Sequence, residues 1–146
     1  MKNNTEKIEK FLRLVDKDFP VPLSCKQDLS QLARKLCEKG TLCAREENGE
    51  IVALVAGYTD NLENNIAYIS VVATRKDARG KGYARALVCE FIDICREKGI
   101  DAVHLYTVHS NTSAVKMYNS IGFMEWVVED EPRKNDLHLI YCLGEK

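Results

Sequence analysis

The segment RKDARGKGYA, Arg75 to Ala84, places four basic residues and two glycines between an apolar run and an amphipathic stretch. The chemistry within reach of such residues is the binding of an anion. Where a strand gives way to a helix, the first helical N–H groups have no intrahelical partners and point at whatever lies above the turn. Gly80 and Gly82 remove the β-carbons that would hold an oxygen-bearing ligand away from that backbone. Arg79 and Lys81 add side-chain charge to the positive end of the helix, so a phosphate or pyrophosphate is the expected guest. The competing reading is a basic, solvent-facing turn whose glycines only permit the bend. A GxGxxG fingerprint is not completed, because Arg85 stands where its last glycine would, and GxxxxGK[ST] is absent.

The remaining reactive residue types are less organised. His104, His109 and His138 have no close metal-ligand spacing and HExxH is absent, which predicts no catalytic metal. The six cysteines, at 25, 37, 43, 89, 95 and 142, include no CxxC pair; most adjoin apolar residues and read as buried thiols of a reducing compartment. With several cysteines and no ordered third group, a Cys-His nucleophile is unsupported.

The elements that must position the basic turn can be read from periodicity. IAYISVVA, Ile66 to Ala73, has the length and β-branched content of a strand, and Gly82 to Lys98 carries Ala84, Leu87, Val88, Phe91 and Cys95 on one helical face. Upstream, Ile8, Phe11, Leu12 and Val15 predict a helix over Glu6 to Lys17, ended by Phe19-Pro20-Val21-Pro22. Ser24 and Gln27 read as a capping box for a second helix that stops at Gly40. Thr41 to Arg45 and IVALVAGY form a predicted hairpin about Asn48-Gly49, with a polar loop from Asp60 to Asn65. Downstream, Ala102 to Val108 reads as a strand and Ser113 to Ser120 as a short helix. FMEWVV and LHLIYCL follow as an antiparallel pair around a Glu129 to Asp136 loop. Strand, helix and strand over Ile66 to Val108 suit a right-handed parallel unit inside an otherwise antiparallel sheet. The fold class is α/β (α+β), a mixed sheet flanked by helices, and no linker, repeat or low-complexity segment divides residues 1–146 into two domains.

Composition narrows the partners. The 21 Lys and Arg against 22 Asp and Glu leave a net charge of -1 and argue against a nucleic-acid or anionic membrane partner. No apolar run reaches the roughly 20 residues that span a bilayer, and no signal peptide is recognised, so a cytoplasmic protein is expected. The predicted C-terminal strand pair offers an edge through which a homodimer could form.

Arg79, Gly82 and Ala84 fit the pyrophosphate-binding signature of the GCN5-related N-acetyltransferases: Arg or Gln, two residues, Gly, one residue, Gly or Ala. NTSAVKMYNSIGF resembles that family's second signature through Asn111, Ala114, Tyr118, Gly122 and Phe123. The resemblance covers Ile66 to Val128 closely. It implies a mixed, splayed sheet that binds acetyl-CoA in the gap between the strands at Ile66 to Ala73 and Ala102 to Val108. Backbone near Val72, Ala73 and Thr74 would then pair with the pantetheine arm. N–H groups over Arg79, Gly80, Lys81, Gly82, Tyr83 and Ala84 would hold the pyrophosphate. Lys76 departs from the proline frequent there in the family, leaving the loop less preset. Arg75 and Lys76 either reach the adenosine 3′-phosphate or face solvent.

The resemblance further implies direct attack of an acceptor amine on the thioester, with Tyr118 as general acid for the departing thiolate. By spacing alone Tyr118 reads more readily as an aromatic anchor beside Ala114 and Ile121, and Asn111 divides between N-capping and cofactor contact. IAYISVV contains no carboxylate, so a general base must come from elsewhere, through Glu63, Glu129, His138 or a water relayed by Ser70 or Tyr68. The two N-terminal helices and Phe19 to Ser24 are expected to roof the acceptor side, with Phe19, Tyr58, Tyr68, Tyr106 and Trp126 as a candidate aromatic wall. A small amine, amino acid or amino sugar is the expected acceptor. The rival from another class is a non-enzymatic acyl-CoA-binding or interaction module.

Overall fold

A computed structural model describes residues 2–19, 21–60, 63–131 and 136–143. Pro20 of the predicted helix breaker, positions 61 and 62 of the first polar loop and positions 132–135 of the last lie outside the described residues.

Helices α1 (Lys2–Val15) and α2 (Leu29–Lys39) precede a six-stranded sheet. The α1 stripe of Ile8, Phe11, Leu12 and Val15 meets Leu32, Ala33 and Leu36 of α2, and all seven residues are buried. At about 1.5–3 kcal/mol for each large apolar side chain taken out of water, this packing outweighs any intrinsic helix preference. The second helix begins later than the predicted capping box. Asp28 is its N-cap, accepting from the Ser30 and Gln31 N–H groups, whereas Ser24 sits in a 3₁₀ turn, Leu23–Cys25. There the Ser24 N–H and hydroxyl both donate to Asp16 at 2.9 and 2.6 Å, tying the connection between the helices to the end of α1.

Strands β1 (Thr41–Glu47) and β2 (Glu50–Tyr58) form the expected hairpin, with positive φ at both Asn48 and Gly49. β2 lies between β1 and β3 (Ile66–Thr74), and Ile51 to Gly57 are buried throughout, as suits a strand covered on both faces. The chain then continues through α3 (Tyr83–Glu97), β4 (Ala102–Thr107), α4 (Thr112–Ile121), β5 (Met124–Glu125) and β6 (Leu137–Cys142), giving the spatial order β1-β2-β3-β4-β6-β5. Of the predicted FMEWVV strand only two residues are paired as β5. The C-terminal pair itself is antiparallel as expected.

Two irregularities shape the middle of the sheet. β3 and β4 are parallel but pair only over Ile66 to Tyr68 and Ala102 to His104, beyond which they diverge. Against β2, the register of β3 slips at Ser70, because Ala56 faces Val71 while Gly57 faces Ile69. A bulge of this kind adds twist and turns a strand aside. It also switches faces: Ala67 and Ile69 belong to the core beneath α3, whereas Val71 belongs to the core beneath α1 and α2.

Candidate active site

Where β3 and β4 part, a cleft of about 610 Å³ opens between them. Its floor is Val72, Ala73 and Thr74 of β3 with Leu105, Tyr106 and Thr107 of β4; α4 contributes Ala114, Met117 and Tyr118. Phe19, Val21, Leu23, Lys26 and Gln27 of the α1–α2 connection roof it, as expected of Phe19 to Ser24. Ser70 and Tyr106 line this same cleft.

The basic turn stands at the end of β3. A 3₁₀ turn, Lys76–Ala78, leads from the strand, and Gly82 caps α3 with φ +80 and no side-chain cap. Gly80 also has positive φ, and a β-carbon on either glycine would meet nothing within 4 Å, so the space above the turn is open. The N–H groups of residues 80 to 84 have no hydrogen-bond partner among the described residues. An open, positively polarised cradle of backbone donors fits a pyrophosphate.

The side chains of the turn play different parts from its backbone. Arg79 lines the cleft, but its own N–H donates to the Lys76 carbonyl and is removed from the cradle. Its guanidinium donates to the Thr74 carbonyl at 3.2 Å and to Asp18 at 3.0 Å, linking the roof to the end of β3. Lys81 and Tyr83 both bond to Glu47 of β1, at 3.0 and 2.8 Å, so these two candidates offer their amides and not their side chains. Glu47 is correspondingly held below the usual carboxylate range, by Tyr83 and then Lys81. Arg75 is engaged by Asp77 and Glu50.

At the opposite wall, Asn111 precedes α4 without a side-chain cap bond, and its side chain is exposed along the cleft. Tyr118 is an anchor by burial, with 5% of its surface exposed and its ring edge-on to Phe123 at 5.6 Å. It is also a cleft residue. Its hydroxyl finds no partner among the described residues, yet no fully buried side-chain oxygen there lacks one, so that hydroxyl reaches the open space. Burial pushes the phenol above its ordinary range.

A family model for "Acetyltransferase (GNAT) family" matches residues 8–123. The chain belongs to the GNAT acetyltransferase family. A GNAT acetyltransferase from Staphylococcus aureus has the same fold, with a TM-score of 0.79 at 20% identity over 99% of this chain and 96% of that one. PaiA N-acetyltransferase from Thermoplasma acidophilum, solved with coenzyme A, aligns with a TM-score of 0.72 at 14% identity over 95% of this chain and 92% of that one. In sequence, a mycothiol acetyltransferase from Thermobispora bispora is 35% identical over 75 residues, 51% of this chain and 25% of that protein. The mycothiol acetyltransferase of Renibacterium salmoninarum is 39% identical over 61 residues, 42% of this chain and 18% of that protein. The chain therefore matches a quarter or less of the length of these two relatives.

Several expectations need correction in this GNAT chain. Tyr58 packs with the α1–α2 core and under Lys35, and Trp126 lies beside His104 and His138, so of the candidate aromatic wall Phe19, Tyr68 and Tyr106 line the cleft. Only Cys43 and Cys95 are buried, both raised to about 11 by burial, while Cys25 and Cys142 are exposed. Glu129 is exposed on its turn.

Sequence reasoning missed a cluster behind Tyr106. His104 Nδ1 and His138 Nε2 lie 2.8 Å apart, His138 Nδ1 is 2.7 Å from one oxygen of Glu131, and the Tyr106 hydroxyl donates to the other at 2.7 Å. Burial, with His138 adjacent, lowers His104 to about 4. An unfolded histidine titrates near 6.5, so between 6.5 and about 4 the unfolded chain binds the extra proton. Stability from this residue is full above pH 6.5 and is lost as pH falls toward 4, by on the order of 2–3 kcal/mol. Denaturant titrations at pH 7, 5.5 and 4.5 should show that loss, and His104→Gln should flatten it.

Proposed function

We propose that this GNAT chain transfers the acetyl group of acetyl-CoA to the amine of a small acceptor, by direct attack with both substrates bound. The observation that carries the reading is the junction of three features at one cleft: the diverging β3 and β4, the open amide turn at 80–84, which meets the cleft at Arg79 and Ala84, and the Tyr118 hydroxyl. When bound, acetyl-CoA supplies an activated acyl carbon and a thiolate leaving group.

The chain's own residues perform the rest. Beyond Tyr68 the edge of β3 is not paired with β4, leaving Val72 to Thr74 to receive an extended, amide-bearing arm as an added strand would be received. The amides of Gly80 to Ala84 take the anionic end, with Asn111 on the facing wall. Tyr118 donates a proton where sulfur departs. Among the described residues no cysteine lines the cleft, which favours direct attack over a covalent acyl-enzyme. The acceptor enters beneath the Phe19–Gln27 roof, against Tyr68 and Tyr106. A cytoplasmic location accords with a donor made and used inside cells.

Calorimetry with acetyl-CoA, followed by thiol release with phenethylamine, kanamycin and an alanine-initiated tripeptide, tests the reading. Saturable binding with turnover on one amine is expected. A folded sample that binds no short acyl-CoA overturns it, and binding without turnover on any amine supports an acyl-CoA-binding module instead.

A further inference from the structure

An amine is protonated at neutral pH and must lose a proton before its nitrogen can attack. Tyr106 lines the cleft, and its hydroxyl donates to Glu131 at 2.7 Å. Glu131 does not line the cleft; only 17% of its side chain is exposed, and it is reached from the cleft through Tyr106. We propose that Tyr106 and Glu131 form the proton exit of the acceptor site, with His138 and His104 as the positioning residues that hold the Glu131 carboxylate in place. This inference rests on the amine-acetylation reading above.

In this exit the chain of bonds runs one way, with an ionised Glu131 and a neutral His138. An ionised carboxylate only accepts, so Glu131 takes the Tyr106 O–H on one oxygen and the His138 Nδ1–H on the other. With Nδ1 donating, Nε2 of neutral His138 accepts, and His104 Nδ1–H supplies it. The Tyr106 and His138 rings stack with centroids 4.1 Å apart and planes 17° apart, so both Glu131 partners are fixed relative to each other. Trp126 and Tyr68 close the cluster, at 4.8 Å from His138 and 5.0 Å from His104. Among the described residues, the titratable groups bonded to Glu131 are His138 from β6 and Tyr106 from β4, with His104 beyond His138 and Tyr68 of β3 beside His104. Asp18, Lys26 and Asp136 line the same cleft.

The step balances. The ammonium gives one proton to the Tyr106 oxygen as the phenolic proton passes to Glu131. The neutral nitrogen then forms the N–C bond while the C–S bond breaks. The second nitrogen proton is released as Tyr118 protonates the sulfur, and solvent restores both residues.

The test uses the full chain, with acetyl-CoA binding measured first and phenethylamine as acceptor probe from pH 6 to 10. Glu131→Gln is expected to leave acetyl-CoA affinity within about twofold and to lower kcat/KM by about 10–30-fold at pH 7. The deficit should close toward pH 10, where the amine is neutral in solution without help. Tyr106→Phe should give the same tilted profile, and Glu131→Asp should recover part of the loss. Profiles parallel to the wild type overturn the proposal, because a purely structural defect lowers rates at every pH. A second readout does not need turnover. Long-range nitrogen–proton spectra should show Nδ1–H tautomers for His104 and His138, with the His138 tautomer fraction shifting in Glu131→Gln; freely mixed tautomers in the wild type overturn the network. Failure of wild-type turnover on every amine, with acetyl-CoA bound, removes the acetylation reading and this one together. Turnover unaffected by Glu131→Gln removes this one alone.

Discussion

Tyr118→Phe is expected to lower kcat by about 10²–10⁴-fold, the range for loss of one positioned general acid, while leaving acetyl-CoA affinity within about twofold. The ring is buried against Phe123 and the substitution keeps it, so packing is preserved and only the cleft-facing oxygen is lost. Burial holds the phenol protonated above its ordinary range, so the donor is present across pH 6–9 and the deficit should be level over that interval. Thiol release with the best amine, set beside calorimetry on the same preparation, separates the two effects. Normal turnover in the variant would remove Tyr118 from the chemistry and leave it as an anchor of α4.

The second large effect is expected at Gly82→Val, which should weaken acetyl-CoA by about 30–1000-fold. Two costs combine. At φ +80 a side chain is strained wherever there is room for it, by roughly 1–2 kcal/mol in the left-handed region and more for a branched one. A branched side chain on the open side of the turn would also stand among the N–H donors of 80–84, each such bond to a charged group contributing about 1.5–3 kcal/mol. Calorimetry reads the affinity and a thermal melt reads the strain. Unchanged affinity would mean that the turn does not hold the anionic end of the donor.

The turn proposed to hold the donor was legible because its requirements are local. A strand, a glycine-bearing turn and a helix within Ile66 to Glu97 leave their mark in consecutive residues, and the arrangement places Gly82 at the cap of α3. What the turn's side chains do was not legible: Lys81 and Tyr83 meet Glu47 across 34 and 36 residues, a contact set by the β1–β2 hairpin. The capping-box pattern at Ser24 misled for a related reason. Its serine had a stronger claimant in Asp16, eight residues back, and Asp28 caps the helix.

The cluster behind Tyr106 resisted reading because no single segment builds it. Tyr106 and His104 come from β4, His138 from β6, and Glu131 from the connection between β5 and β6, brought together by the pairing of Tyr106 with His138 and His104 with Ile140. Glu129 borders a predicted strand, whereas Glu131, two residues on, lies inside the polar Glu129 to Asp136 loop with nothing local to mark it as a base. Only the alternation of His104 and Tyr106 on β4 hinted that two polar rings share a face.

The slip at Ser70 carries a lesson for anyone comparing this chain with its relatives. On one side of that residue odd-numbered positions of β3 belong to the core under α3, and on the other side they belong to the core under the roof helices. An alignment that closes the strand without allowing for the extra residue would exchange the α3 face for the roof-helix face over Val71 to Thr74. Donor-side substitutions would then be tallied as core changes, and the evolutionary record of the cleft would be misfiled.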